Sequence, residues 1–166
     1  MTTISENSQP IQSPLVLDVC AGSRMMWFDK NNPKALFGDK RFEQHTLCDG
    51  RVLHIEPNLQ LDFTCLPFAS NSFKLVAFDP PHLLKAGEVS WLKAKYGVLG
   101  KDWKNDLGKG FSECFRVLES GGILVFKWNE TQVKIKEVLA LTPVKPLFGH
   151  PTGRKGITHW YVFMKP

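Results

Sequence analysis

The sequence has 166 residues, of which 43% are hydrophobic and 22% charged, as is ordinary for a globular protein with one domain. No apolar run approaches the ~20 residues of a membrane span, and no apolar signal core opens the chain, so we predict a cytoplasmic protein without membrane contact. The formal net charge of +5 permits binding to a polyanion but equally fits a solvated, lysine-rich surface.

The first part of the chain contains two short apolar runs that predict buried strands. Residues 1–13 are polar and predict a disordered segment, so a single domain is expected over residues 14–166. Its first strand is predicted over residues 15–20 and its second over residues 35–39. Between them, residues 24–31 have helical character.

The dipeptide Asp49-Gly50 is a strong turn signal in the middle of a loosely alternating segment. Aspartate–glycine pairs favour the tight turns that join antiparallel strands. We therefore predict a hairpin insertion near residues 42–56. Two further strands follow it, a short one over residues 59–63 and a fully buried one over residues 73–79.

The second half of the chain alternates helical patterns with strands and closes with an antiparallel pair. The clearest helix is predicted over residues 103–118, where apolar residues recur every three or four positions. The remaining predicted segments are helices over residues 83–96 and 131–141, a strand over residues 123–128, and a closing pair over residues 145–149 and 158–164, joined by the basic loop of residues 152–156. Together these elements predict a doubly wound α/β sheet, in which ligands bind at the carboxyl ends of the strands.

Three aspartates fall where predicted strands end: Asp18, Asp39 and Asp62. A carboxylate at the tip of the second strand can accept both hydroxyls of a ribose, and a turn at Gly22 lets a ligand approach the backbone closely. Taken alone, each aspartate is better explained as a cap or turn residue. Their occurrence on three different strand ends favours a nucleoside site.

The tetrapeptide Asp79-Pro80-Pro81-His82 follows the buried fourth strand. Prolines stiffen a turn and remove backbone donors, so this turn presents carbonyls and the Asp79 carboxylate. Such acceptors suit a substrate N–H group, because two acceptors on an aromatic amine can turn its lone pair towards an electrophile held in line. The alternative is a rigid turn without chemistry.

Several of these segments resemble the class I, Rossmann-like methyltransferases over roughly residues 15–165. Residues 18–22 are similar to a short form of the first motif of that superfamily, and residues 61–63, with the LPF and NSF stretches that follow, to its adenine-binding segment. The stretch ECFRVL and the turn at residues 120–122 resemble the helix and glycine turn before its fifth strand. DPPH resembles the D/N-P-P-aromatic motif of amino-methyltransferases, with His82 at the position where Tyr, Phe or Trp is usual.

The resemblance implies a Rossmann-like sheet, mostly parallel, with an antiparallel C-terminal hairpin strand and helices on both faces. It implies S-adenosyl-L-methionine as the cofactor and an exocyclic amino nitrogen of a nucleobase in DNA or RNA as the methyl acceptor. The reacting centre it implies consists of Asp79, Pro80, Pro81 and His82. The cofactor-binding residues it implies are Asp18, Cys20, Ala21, Gly22, Arg24, Asp39, Asp62 and Phe63.

Aromatic and basic residues late in the chain are candidates for substrate binding. Trp128 and Asn129 end the fifth strand, and Arg154 and Lys155 lie in the basic loop. Lys127 is a further candidate for contact with phosphate. For each of them the alternative is a place in the core or on a solvated rim. The cysteines and histidines show no metal-binding spacing, so no metal is predicted.

Two other functions stay open on the sequence. The acceptor can be a glutamine amide or a small molecule, or the chain can be a silent subunit that supports a partner. Acidic residues at the strand ends argue against a silent subunit, which needs no ribose ligand. No segment is long enough for a separate target-recognition domain, which favours a compact substrate or a protein partner that supplies recognition.

Overall fold

The computed structural model describes residues 14–87 and 90–166, so the predicted disordered segment of residues 1–13 lies outside the described residues. The strands are β1 (Val16–Asp18), β2 (Ala35–Asp39), β3 (Glu43–Thr46), β4 (Val52–Ile55), β5 (Leu59–Gln60), β6 (Phe73–Phe78), β7 (Leu118–Asn129), β8 (Phe148–Thr152) and β9 (Thr158–Met164). The helices are α1 (Trp91–Tyr96), α2 (Trp103–Val117) and α3 (Ile135–Leu139).

Seven of the strands form one sheet in the order β5-β2-β1-β6-β7-β9-β8. The first five in this order run parallel, β9 is antiparallel to β7, and β8 is antiparallel to β9. The chain builds outwards from β1 to β2 and β5, then returns to add β6 on the other side of β1. The predicted mostly parallel, Rossmann-like sheet with an antiparallel C-terminal hairpin is confirmed, and its switch point lies between β1 and β6.

The hairpin predicted near residues 42–56 is also confirmed. It consists of β3 and β4, which pair with each other and stand apart from the seven-stranded sheet. Gly50 in the connecting turn has a φ of 82°, a left-handed conformation that glycine adopts at little cost. The hairpin follows shortly after β2 in the chain, so it stands beside the carboxyl end of that strand.

Helix α2 packs its apolar stripe against one face of the sheet. The ring of Phe111 lies 5.5 Å from that of Phe78 on β6 and 4.9 Å from that of Phe126 on β7, measured between centroids. A Cβ atom at Gly110 would lie 2.7 Å from Phe78 and 2.8 Å from Phe63. Glycine at this position therefore lets the helix approach closely, and the packing fixes the ends of β6 and β7.

The helix predicted over residues 24–31 is wrong, because this segment forms turns. Arg24 has a left-handed backbone with a φ of 56°, which no α-helix accommodates. Its guanidinium donates hydrogen bonds to the carbonyls of Lys30 and Glu56, at 2.6 and 2.8 Å, and lies 4.2 Å from the centre of the Phe37 ring. These contacts stabilise the compact connection between β1 and β2.

The other two flanking helices are shorter than the pattern predicts. Among the described residues of the segment 83–96, only α1 is helical. The Gln132 side chain accepts hydrogen bonds from the N–H groups of Leu84 and Lys85 and donates one to the Lys85 carbonyl, which holds these two residues outside a helix. Gln132 belongs to the loop after β7, so the predicted helix over residues 131–141 is reduced to α3. None of the helices among the described residues is long and apolar enough to cross a membrane.

Candidate active site

A cavity of about 200 Å³, called here the main cavity, opens at the carboxyl ends of β1, β2 and β6. Parallel strands end at the same edge of a sheet, so side chains that are distant in sequence converge there. Three predicted site aspartates, Asp39, Asp62 and Asp79, line this cavity. Its remaining walls include Val19, Cys20, Phe63, Pro81, Tyr96 and Leu99.

Asp39 at the tip of β2 is almost fully buried and connects two loops. Its Oδ2 accepts a hydrogen bond of 2.8 Å from the backbone N–H of Gly22, which has a φ of 51°. Its Oδ1 accepts from the backbone N–H of Arg41 at 2.9 Å and from Arg41 Nε at 3.4 Å. A carboxylate offers about four lone-pair positions, so roughly one stays open on Oδ2 and another becomes open if the Arg41 side chain moves.

Asp62 and Phe63 form the wall of the main cavity after β5. The Asp62 carboxylate pairs with Lys40 Nζ at 2.8 Å and accepts hydrogen bonds from both the N–H and the hydroxyl of Thr64. Burial opposes ionisation, but these hydrogen bonds outweigh it and hold the pKa of Asp62 below its ordinary value. The Phe63 ring packs edge-on against Phe78, so the wall has one charged and one apolar part.

Asp18 is fully buried beneath the loop that follows β1 and lines neither the main cavity nor the cavity next to it. Its carboxylate accepts hydrogen bonds from Trp27 Nε1 at 2.7 Å and from the N–H of Cys20 at 3.2 Å. Burial raises the pKa of Asp18 to about 7, against the effect of these bonds. In this arrangement Asp18 positions the loop after β1 through these two hydrogen bonds, and its predicted contact with the cofactor stays a prediction.

The remaining predicted residues of that loop divide into lining and supporting groups. Cys20, Ala21 and Gly22 line the cavity next to the main one, and the Ala21 N–H donates to the carbonyl of Gly38 at 2.8 Å. Burial raises the pKa of the Cys20 thiol well above its ordinary value, so this thiol stays protonated. The Arg24 guanidinium bonds carbonyls in the turns after β1 and Arg24 lines neither cavity, so its predicted contact with the cofactor stays a prediction.

The buried Asp18 makes stability depend on pH in a direction that can be tested. Because its folded pKa lies above that of the unfolded chain, its contribution to stability is complete below about pH 4 and is lost as the pH rises towards 7. Asp18→Asn removes this titration. We expect its free energy of unfolding, relative to the parent, to rise by up to ~1.4 kcal/mol per pH unit across that window. Urea denaturation at several pH values measures this, and a constant difference would contradict the assignment.

Asp79 at the end of β6 forms an ion pair with Lys127 on the neighbouring strand β7. Lys127 Nζ lies 2.5 Å from Asp79 Oδ2, and both side chains are about three-quarters buried. Within the described residues, Asp79 Oδ1 accepts no hydrogen bond, and Asp79 lines both the main cavity and the cavity next to it. Burial raises the pKa of the Asp79 carboxyl, and the Lys127 ammonium opposes that rise.

His82 ends the proline turn and packs between two aromatic rings. Its ring centre lies 5.1 Å from that of Tyr96 at the end of α1 and 6.4 Å from that of Trp128 behind it. Burial, assisted by the charge of Lys127, lowers the pKa of His82 to about 4. The imidazole is therefore neutral at pH 7 and presents an aromatic face where the related motifs carry an aromatic residue.

A smaller cavity of about 50 Å³ adjoins the main one and contains the proline turn. We call it the acceptor cavity. The side chain of Arg41 lines both cavities and donates to the carbonyl of Ala94 at 2.9 Å, so it forms the partition between them. Other residues that line the acceptor cavity are Gly22, Met25, Met26, Pro80, Lys95 and Tyr96.

The structure does not bring all predicted substrate residues to this site. Trp128, predicted to stack on a substrate, is fully buried; its indole N–H donates to the Val133 carbonyl, and its ring packs behind His82. The Asn129 side chain holds Thr131 and Thr158 in a turn at the rim. Arg154 and Lys155 are exposed at the turn between β8 and β9, outside both cavities.

Two residues of the reacting centre, Lys127 and Tyr96, do not follow from the sequence. The sequence suggests Lys127 as a phosphate contact, although a lysine inside an apolar strand rarely lacks a buried partner. That signal identifies an ion pair but not which carboxylate it joins. Nothing local in the sequence distinguishes Tyr96. Among the described residues, no cluster of three or more His, Cys, Asp or Glu side chains could hold a metal ion.

Comparison with known proteins identifies the fold. No protein-family model and no curated protein sequence matches the chain. Solved structures of low identity do. One is the complex between the Haloferax volcanii Trm112 methyltransferase activator and a methyltransferase (13% identity, 96% of this chain and 86% of that chain, TM-score 0.53). Another is a TehB-like SAM-dependent methyltransferase from Corynebacterium glutamicum (11%, 93% and 82%, TM-score 0.55).

The chain is also similar to TrmN from Thermus thermophilus, at 16% identity and a TM-score of 0.58. The match covers 93% of this chain but only 45% of TrmN. At such identities the likeness concerns the fold. It confirms that the chain has the Rossmann-like architecture found in these methyltransferases.

Proposed function

We propose that this protein is an S-adenosyl-L-methionine-dependent methyltransferase that methylates an exocyclic amino nitrogen of a nucleobase in DNA or RNA. One observation carries the proposal. The Asp79 carboxylate, in the turn with Pro80 and Pro81, has one oxygen that accepts no hydrogen bond among the described residues, and it lines both cavities at the switch point of a fold shared with methyltransferases. A partly buried hydrogen-bond acceptor beside a nucleoside-sized cavity suits a substrate amine. A protein that served only as a scaffold would not need one.

The residues around the main cavity fit the proposed cofactor. Asp39 offers a ribose hydroxyl its open lone pair, and a second one when Arg41 Nε moves aside. Phe63 and Leu99 supply apolar walls for an adenine, and the loop at Gly22 brings backbone close to the acceptor cavity. When bound, S-adenosylmethionine supplies an electrophilic methyl group on a sulfonium. Movement of Arg41 would also join the two cavities.

The chain's own residues would act on the acceptor by positioning it. Asp79 Oδ1 accepts one amino hydrogen of the substrate, which fixes the nitrogen and directs its lone pair into the cavity. The Lys127 ammonium pairs with Asp79 and opposes the rise that burial causes in the pKa of its carboxyl. His82 stays neutral, so its ring can lie against a base without adding a second positive charge near the sulfonium. Asp79 is also placed to receive the proton that the nitrogen loses.

The nucleobase is favoured over a glutamine amide by the ring of His82 beside Asp79, because a planar base has a face to stack and an amide side chain has little. The loop with Arg154 and Lys155 ends at the same edge of the sheet as Asp79, two strands beyond β7. We propose that it contacts the phosphates of a polymer substrate. The double variant Arg154→Ala/Lys155→Ala removes both positive charges of this loop.

Cofactor binding is tested first. Asp39→Ala is expected to weaken binding of S-adenosylhomocysteine by ~1–3 kcal/mol, the range for hydrogen bonds to a charged group. Isothermal titration calorimetry measures this, with Asp102→Ala as a control, because Asp102 is exposed and lines neither cavity. Failure of the parent protein to bind the cofactor or its product would contradict the proposed function.

A further inference from the structure

We propose that a groove between the β3–β4 hairpin and α1 binds the single-stranded nucleic acid that flanks the target base. The groove has a volume of about 560 Å³ and is lined by residues that include Met25, Lys30, Leu47, Arg51, Trp91 and Lys95. We call it the hairpin groove. The inference rests on the proposed function, because it gives the polymer a path to the same acceptor cavity.

The hairpin groove adjoins the acceptor cavity. Ser23, Met25 and Lys95 line both of them, so a chain that occupies the groove lies next to the cavity that contains Asp79. The turn signal in the sequence predicts the hairpin but gives it no role in the site. In the structure its tip approaches α1, and Leu47 and Trp91 share the lining. The proposal therefore assigns a function to the β3–β4 hairpin, which stands apart from the main sheet.

Aromatic rings connect the groove to the proline turn. Trp91 is 52% exposed at the start of α1, although tryptophan is usually well buried. Lys95 Nζ lies 5.8 Å from the centre of the Trp91 ring and 5.2 Å from that of Tyr96, and Tyr96 in turn packs on His82. Tyr96 lies five positions after Trp91 in the same helix, a rise of ~7.5 Å, which suits a nucleotide next to the target.

The charges around the groove favour a polyanion over a peptide of mixed charge. The groove is lined by three cationic side chains, those of Lys30, Arg51 and Lys95. The one carboxylate in this lining is that of Asp49, which forms an ion pair with Arg51 at 2.6 Å. Within the described residues neither Lys30 nor Lys95 forms an ion pair with a carboxylate. An exposed indole in a groove lined by cationic side chains is the combination that binds single strands, with bases stacked on the ring and phosphates against the cations.

Binding is measured by fluorescence anisotropy of fluorescein-labelled single-stranded DNA and RNA of ~12 nucleotides, with S-adenosylhomocysteine present at ~50 mM salt. Trp91→Ala should weaken binding about 5- to 150-fold, which corresponds to the ~1–3 kcal/mol of one stacked base. Trp91→Phe should restore most of it. Phe148→Ala is the matched control, since it removes another exposed aromatic ring, on the edge strand β8. Circular dichroism establishes that each variant is folded.

The outcomes separate the groove from the enzymatic activity. If Trp91→Ala lowers kcat/KM for the oligonucleotide but not for a free nucleoside, both proposals are supported. If the oligonucleotide is methylated and Trp91→Ala binds it as tightly as the parent does, the groove proposal is wrong and the activity stands. If only Arg154→Ala/Lys155→Ala weakens binding and Trp91→Ala does not, the groove proposal is likewise wrong. A parent that binds no single strand, or binds a peptide in the groove instead, also overturns the groove proposal.

Discussion

Asp79→Ala is expected to lower methyl transfer by ~10²–10⁴-fold, the usual contribution of a positioned proton acceptor. The variant loses the open Oδ1 that would hold the substrate amine, and it leaves Lys127 without its partner. Affinity for the cofactor should change by less than about threefold, or ~0.7 kcal/mol, because Asp39 and Asp62 keep their own hydrogen bonds. Single-turnover transfer of a labelled methyl group and calorimetry measure the two quantities.

Asp79→Asn and Asp102→Ala give this experiment its controls. Asparagine keeps an acceptor oxygen and the shape of the turn, so it should retain more activity than alanine. Asp102 lies exposed at the start of α2, away from the acceptor cavity, and its removal should change neither rate nor affinity. Full turnover by Asp79→Ala would show that Asp79 does not act on the substrate.

Lys127→Met should cause the second large effect, and its signature is a change in pH dependence. Methionine keeps the apolar stem but removes the ammonium that opposes the raised pKa of Asp79. An opposite charge within ~4–6 Å is worth about 1–3 pKa units, so the acid limb of kcat/KM should move to higher pH by about that amount. Activity should be lost at neutral pH and partly regained at alkaline pH.

Two variants identify the group that titrates. Lys127→Arg keeps the charge and should keep the limb near its original pH. Removal of Lys127 also relieves His82, whose pKa this charge lowers, so the profile is repeated in the background His82→Phe. If the limb stays in place when Lys127 is replaced by methionine, the pair does not control the reacting centre.

The parts of the fold that depend on short-range patterns could be predicted from the sequence. Apolar runs ending in aspartate gave the strand ends, and Asp49-Gly50 gave the hairpin. The connection after β1 could not be predicted, because a hydrogen bond from Arg24 to Glu56, 32 positions away, decides that it forms turns. The absence of a helix at Lys85 likewise depends on Gln132, 47 positions further on.

The site shows the same division between local and distant information. Side chains alternate along β7 with a period of two, so Lys127 and Trp128 lie on opposite faces of the sheet. This alternation predicts a core position for Trp128. Which carboxylate Lys127 meets follows from the sheet order, since β6 and β7 are neighbours. The position of Arg41 between the two cavities depends on how the hairpin packs, and so does that of Trp91 in the hairpin groove. No local sequence pattern encodes this packing.

The most direct test of the central claim is incubation of the purified protein with S-adenosylmethionine and single-stranded DNA or RNA, followed by mass spectrometry of the digested nucleosides. We expect one nucleoside to gain the mass of one methylene on its exocyclic amino group, and the signal to disappear with Asp79→Ala. Methylation of a carbon or a ring nitrogen, of a glutamine amide only, or of nothing despite measurable cofactor binding would contradict the account.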